Sequence, residues 1–401
     1  MNRLLLTTAI LALGLSTASA QDKKDEKKEE GFKFTTIKSN PITSVKNQNR
    51  SGTFWAYSSL GFFESELLRM GKGEYDFAEM FLAHKTYQDR ATAAVRMHGD
   101  VSFSQGGSFY DAVYCMKNYG MVPQSAMPEP GTLYGDSLPN FTELFNIAEG
   151  YVNGIAKSET LKKLSPIWKK SLVSTLDNYL GECPTEFTYK GKKYTPQSYM
   201  ASTGLNMDDY VSLTSFTHHP FYTKFIIEVQ DNWRWGESYN LPLDEFMEVM
   251  DSAVKNGYTF AWGADVSETG FTRNGIAVCP DVKKQQDELG SDFAHWFGKT
   301  KSDQANALTS KPLPEITVTQ EMRQEAYDNW ETTDDHGMII YGIAKDQNGK
   351  EYFMVKNSWG KSGKYDGIWY ASKAFVAYKT MNILIHKDAL PKAIAKKLGI
   401  K

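Results

Sequence analysis

From Gly52 to Met70 the apolar residues Trp55, Leu60, Phe63, Leu67 and Met70 recur at near-helical spacing, while Glu64, Glu66 and Arg69 fall largely between them. Ser51-Gly52 supplies a start and the GKG after Met70 a stop, so the pattern predicts a helix with one buried face and its N-terminus at about residue 53. A second helix is expected in FAEMFLAHKTYQDRATAAVRM and a third in GSFYDAVYCMKNYG, the latter approached through Gly106-Gly107 and ended by Gly120. The chain up to about residue 125 therefore reads as mainly helical.

Residues from about 125 to 250 differ in texture. PEPGTLYGDSLPN is rich in turn formers, SPIWKKSLVSTLDNYLGECP is an amphipathic helix, and FTHHPFYTKFIIEVQDNWRW is aromatic with one short apolar run at strand length. LPLDEFMEVMDSAVKNG predicts a further helix with a glycine stop. From Tyr258 onward the strand signals dominate, in YTFAWGADV, GMIIYGIAKDQNGKEYFMVKNSWG and GIWYAS. An Asn-Gly turn between two apolar runs predicts a hairpin over residues 338–357. The tail ALPKAIAKKLGIK reads as a short basic segment. Helices first and sheet later predict an α+β chain whose two halves face each other across a cleft.

Composition bounds this picture. A chain of 401 residues, 41% hydrophobic and 13% aromatic, buries a large core and is not of the disordered class. A formal net charge of -3 gives no global electrostatic case for nucleic acid. The N-terminus has a basic start at Arg3, an apolar stretch from Leu4 to about Leu15 and the small residues Ala18-Ser19-Ala20, the pattern of a cleavable signal peptide over residues 1–20. That stretch falls short of the ~18 to 20 residues of a membrane span. Residues 21–31 follow as a charged tether, and no later run is apolar enough to cross a bilayer, so an exported, soluble protein of the periplasm or exterior is expected. Cys115, Cys183 and Cys279 are odd in number and match no zinc spacing; at most one disulfide is possible and none is demanded.

The chemistry of thiol peptidases needs a cysteine at a helix N-terminus, a histidine partner, a group that orients the histidine, and donors for an oxyanion. Gln48 precedes the helix start closely enough to bring its side-chain amide beside the backbone N–H of residue 54. His336 follows Asp334-Asp335 at the start of an expected strand. Asn357, across the hairpin, is placed to accept the His336 ring N–H, with Trp359 shielding that bond from water. The fourth requirement is unmet, because position 54 is phenylalanine.

QNRSGTFWAYS, the dipeptide DH and NSWG resemble the motifs of the papain-like cysteine peptidases at every position except the nucleophile, where Phe54 stands. The glycine pair of SQGGSFYDAV is similar to that family's cleft-wall glycines, and the resemblance gives Gly106 and Gly107 the role of pairing with substrate as with an added strand. The interval from residue 54 to residue 336 is about twice that of the simplest members. With GADVSETGF and LNMDDYVSLTSFTHHPF, it points to the bleomycin hydrolase, or aminopeptidase C, branch. The resemblance covers most of residues 35–390. It implies a two-lobed papain-like fold with a helical lobe over 32–124, a large mainly helical insertion over 125–250, and an antiparallel β lobe with a C-terminal tail over 251–401. It also implies peptide substrates, a C-terminus lying in the cleft, and an assembly of six subunits.

A phenyl ring forms neither thiolate nor acyl-enzyme, so the covalent route is closed at Phe54. The three cysteines offer no substitute by position, and Thr53, about 100° away around the helix start, faces away from His336. His336 acting directly on a water leaves only residual catalysis. His218-His219 in an extended segment would point apart, Pro220 suggests a turn, and no carboxylate stands at ligand spacing, so no metal site and no cofactor is expected. Three readings follow: a pseudopeptidase that binds peptides without hydrolysis, an active peptidase in which position 54 is a variant or sequence error, and an exported structural protein. The first accounts for Phe54, the second for the intact Gln48, His336, Asn357 and Trp359, and the third leaves the motifs unexplained.

Overall fold

The structure, a computed structural model, describes residues 31–128, 138–281 and 300–401; the expected leader and nearly all of the tether lie outside them. The N-terminal helices are α1 (Phe54–Arg69), α2 (Glu79–Arg96) and α3 (Phe109–Asn118), followed by α4 (Thr142–Ala156) and α5 (Ile167–Leu180). Two further helices are α6 (Pro196–Thr203) and α7 (Leu243–Lys255). Each of the three helices expected before residue 125 is present, and α3 begins at a capping box in which the Asp111 carboxylate accepts the Ser108 N–H at 2.9 Å.

The strands in chain order are β1 (Thr35–Ser39), β2 (Phe187–Tyr189), β3 (Lys192–Tyr194), β4 (Tyr210–Thr214), β5 (Lys224–Ile226) and β6 (Glu237–Asn240). They continue as β7 (Phe260–Ala264), β8 (Ile276–Ala277), β9 (His336–Lys345), β10 (Glu351–Lys356), β11 (Ile368–Ser372) and β12 (Thr380–His386). β2 and β3 pair alone; the rest build one sheet in the order β5-β6-β4-β12-β7-β9-β10-β11-β8, with β1 also on β9. Most pairs are antiparallel, but β4 with β6 and β11 with β8 run parallel, which makes the sheet mixed. β9 and β10 are the expected hairpin, turning through Asn348-Gly349, where Gly349 takes a φ of 83°.

The stretch between 125 and 250 divides. Its first part is helical, α4 and α5 packing beside α2, whereas β4, β5 and β6 extend the main sheet through the pairing of β4 with β12. The C-terminal tail also departs from expectation. Lys392–Lys397 is helical, and Ile394, Leu398 and Ile400 pack into the core on the α7 side of the sheet, where Lys397 reaches Glu245. Its apolar residues hold the tail on the outer face, so it does not line the cavity between the lobes.

Two cores explain the two lobes. On the sheet, successive residues alternate sides: Ile339 and Leu384 join the helical core with Trp55, Leu60 and Phe63, while Met338, Ile340, Ile383 and Ile385 join the other with Trp262 and Phe246. Each fully buried large apolar side chain in such a core contributes about 1.5–3 kcal/mol. α1 lies directly on β9, and small residues permit that approach. A Cβ on Gly61 would meet Ile339 Cδ1 at 2.8 Å, and one on Gly337 would meet Ser58 Oγ at 2.6 Å. This contact brings the start of α1 to the start of β9, and thereby Phe54 to His336.

Candidate active site

The N-terminus of α1 opens toward the other lobe. Thr53, its N-cap, makes no side-chain cap bond, because its hydroxyl is tied to Ser51 Oγ at 2.6 Å, and the first turn carries no acid. The unpaired backbone N–H groups there leave a partial positive charge beside Phe54. Gln48 is buried in the loop ahead of the helix. Its Nε2 donates to the Ser51 carbonyl at 2.8 Å and its Oε1 accepts from Ser358 Oγ at 2.6 Å, so one of its two amide protons is already engaged.

His336 opens β9. Its Nε2 lies 2.7 Å from Asn357 Oδ1, an oxygen that also accepts the Ser358 backbone N–H at 2.7 Å. That second bond fixes the Asn357 amide, so Nε2 is the donor and carries the proton. Nδ1, which has no hydrogen-bond partner among the described residues, is left with its lone pair. Register explains the meeting: Lys356 pairs with Ile339, so the residues after Lys356 run past the start of β9. Trp359 stacks on the imidazole with ring centroids 4.8 Å apart, covering the bond to Asn357 as expected. On its other neighbour, the Phe54 ring stands 5.5 Å from the imidazole centroid, tilted by 58°.

Burial pushes the His336 imidazole down to about 4, against its bond to Asn357 and the charge of Asp335, so the ring is neutral at physiological pH. The unfolded chain takes up this proton near pH 6.5, before the folded one does. Stability from this group is therefore full above pH 6.5 and is lost as pH falls toward 4, by about 3 kcal/mol. Urea unfolding between pH 4 and 7.5 reads the effect. A His336→Gln variant, which keeps a donor for Asn357, is expected to lose less stability across that window, and parallel curves for the two proteins would refute the assignment.

Phe54 and His336 line a cavity of about 480 Å³ between the lobes, together with Gly107, Tyr110, Asp334 and Asn382. Asp334 accepts no hydrogen bond among the described residues, and burial together with Asp231 and Asp335 pushes it up to about 8. The two glycines separate in role. Gly107 packs its Cα against the Trp55 indole, where a Cβ would come within 2.8 Å, and it lines the cavity. Gly106 differs from expectation: its carbonyl accepts from Arg90 at 2.6 Å, and Asp231 covers the place a Cβ would take. Its carbonyl is thus engaged by the protein itself, where pairing with an added strand would need it as an acceptor.

Sequence reasoning missed the residues that hold this wall. Arg90, wholly buried in α2, binds the Ser102 and Gly106 carbonyls and pairs with Asp231 at 3.3 Å. Arg234 reaches Asp89 and Asp111, both at 2.6 Å, pinning the segment after β5 to α2 and α3. No local pattern marks these residues, since their carboxylate partners lie more than a hundred positions away. Gln105 joins the wall to the helix start, its carbonyl accepting from Trp55 Nε1 and its side chain from the Gly52 N–H.

The cysteines stay outside the site. Cys115 is buried within α3 and Cys279 beside β8, and burial raises both thiols far above their ordinary range; Cys183, less buried, is pushed up to about 11. His218 and His219 require a correction. The backbone bends at 217–219 instead of running extended, so the two rings converge, 4.7 Å apart, on the carboxylate of Glu228.

Residues 184–400 match the Peptidase C1-like family, more than half of the chain. The chain belongs to the Peptidase C1-like family. Among the relatives of this family member, Aminopeptidase C of Streptococcus thermophilus is 24% identical over 388 residues, covering 86% of this chain and 81% of the relative. Aminopeptidase G of Lactobacillus delbrueckii subsp. lactis is 22% identical over 391 residues, covering 88% and 83%. The crystal structure of pepw from Lactobacillus rhamnosis HN001 superposes with a TM-score of 0.67 at 20% identity, covering 91% of this chain and 84% of that one. The Peptidase C1-like chain thus has the papain-like α+β fold implied by its motifs. No helix among its described residues is long and apolar enough to cross a membrane.

Proposed function

We propose that this member of the Peptidase C1-like family is an exported pseudopeptidase whose inter-lobe cavity binds peptides without covalent hydrolysis. The observation that carries the reading is the Phe54 ring beside His336, at the helix N-terminus where the family's motif calls for a cysteine. The hydrocarbon ring supplies no nucleophile, while the cavity it lines retains aromatic walls and the Asp334 carboxyl. The aminopeptidase relatives support peptides as the ligand class, and the leader-like N-terminus supports export.

Fluorescence anisotropy of labelled di- to hexapeptides, followed by mass spectrometry of the recovered peptide, tests this. Saturable binding, displaced by unlabelled peptide and leaving the peptide intact, is expected. Cleavage by the natural protein that disappears in a His336→Ala variant would overturn the reading, as would an absence of binding across the series.

A further inference from the structure

Away from the cavity's interior, the bend at 217–219 and the residues after β5 bring two imidazoles and a carboxylate together. His218 Nε2 lies 3.1 Å from Glu228 Oε2 and His219 Nε2 lies 3.4 Å from Glu228 Oε1. The three ligand atoms all fall within 4.8 Å of one another. We propose that His218, His219 and Glu228 form a binding site for one Zn²⁺ ion, independent of how the cleft is read.

The donor set suits this ion. Two neutral imidazoles and one carboxylate are ordinary zinc ligands, and the fourth tetrahedral position is left to water. The two carboxylate contacts already have the ligand–ligand spacing of a tetrahedral site, and a closing of up to about 1.5 Å between the remaining ligand atoms brings all three to zinc–ligand distances near 2 Å, which the partly exposed side chains allow. The rings are already oriented. His219 stacks on Phe225 with centroids 4.4 Å apart, and His218 stacks on Tyr327 at 5.6 Å. Tyr327 Oη donates to the Glu228 carbonyl at 3.1 Å and lies 3.4 Å from Glu228 Oε2.

Gln324 supplies the outer partner that zinc-bound histidines require. Its Oε1 accepts the Thr217 N–H at 2.6 Å and lies 3.4 Å from His218 Nδ1, and its Nε2 lies 3.1 Å from the same atom. Without metal, His218 Nε2 carries the proton and donates to Glu228. Binding of the ion moves that proton to Nδ1, where Gln324 Oε1 accepts it; the His219 proton likewise leaves Nε2. Charge is conserved, because no group is oxidised or reduced and any displaced proton passes to solvent. Glu228 sits between Ile227 and Val229, both of which line the inter-lobe cavity. The ion would therefore fasten the outside of the cavity wall to the bend at 217–219.

Isothermal titration of the tag-free full chain with Zn²⁺ tests the site, with visible spectroscopy of the Co²⁺-loaded protein beside it. One ion per chain is expected. Binding should be lost in Glu228→Gln and in the double variant His218→Ala/His219→Ala, and weakened about 10- to 100-fold in Gln324→Ala. The Co²⁺ spectrum should show tetrahedral d–d bands without thiolate charge transfer. Absence of a binding isotherm, binding that survives the substitutions, or a sulfur-to-cobalt band would each overturn the proposal. The spectrum of the natural protein decides the matter even if a variant fails to fold.

Discussion

Phe54→Cys is expected to turn the protein into an active hydrolase of fluorogenic aminoacyl substrates, with kcat rising by up to about 10⁶-fold over the natural chain. The histidine, its Asn357 partner and the uncapped helix end are in place. The new thiol would stand at the N-terminus of α1, where the absence of an acid in the first turn and of a side-chain cap leaves the helix end to stabilise a thiolate. His336 keeps its Nδ1 lone pair free to take the thiol proton, because Asn357 holds the other ring nitrogen at 2.7 Å. By resemblance to the family's motif, the second amide proton of Gln48 and the backbone N–H of residue 54 would serve as the oxyanion donors. A thiolate neighbour would also raise His336 from its present value of about 4, since the imidazolium gains the opposite charge it now lacks. The gain must disappear in Phe54→Cys/His336→Ala. A folded Cys variant no more active than the natural protein would show that something besides the nucleophile is missing.

Arg90→Ala should be the most destabilising single change in the cavity wall, costing about 3–5 kcal/mol. Arg90 is wholly buried and serves the Ser102 and Gly106 carbonyls as well as Asp231. Its removal leaves those acceptors unsatisfied and Asp231 uncompensated beside Asp334. Asp231 is already held above its ordinary range by burial, with Arg90 as the group that opposes the rise. The sign of the pH dependence follows. Near pH 4 the unfolded chain has only partly ionised the variant's Asp231, so the cost is small, whereas at pH 8 the unfolded chain ionises it fully while the folded one resists. The deficit relative to the natural protein should therefore be larger at pH 8 than at pH 4, as read by urea unfolding. A deficit that does not change with pH would assign the loss to the carbonyl contacts alone.

These two residues also mark the boundary between local and tertiary information. Phe54, Gln48, His336, Asn357 and Trp359 were legible because a helix start, a strand start and a hairpin each leave a short pattern, and antiparallel pairing after an Asn-Gly turn fixes which residues meet. The helices through α3 and the β9–β10 hairpin follow for the same reason. Periodicity reports one element's own buried face. It is silent about partners, so β4, β5 and β6 could not be assigned to the main sheet from their short runs, nor the basic tail to the core beside α7.

By itself, then, the sequence determined the α+β order, the start of α1 and the groups that face one another across the cleft, along with the absence of a thiol from position 54. Only the tertiary structure decided that Arg90 and Asp231 occupy Gly106, that the tail stays out of the cavity, and that His218 and His219 converge on Glu228. The physical reason is common to all three. Charge pairing and apolar burial between segments far apart in the chain depend on distances that folding creates, and a bend of two residues is enough to bring together side chains that an extended strand would separate.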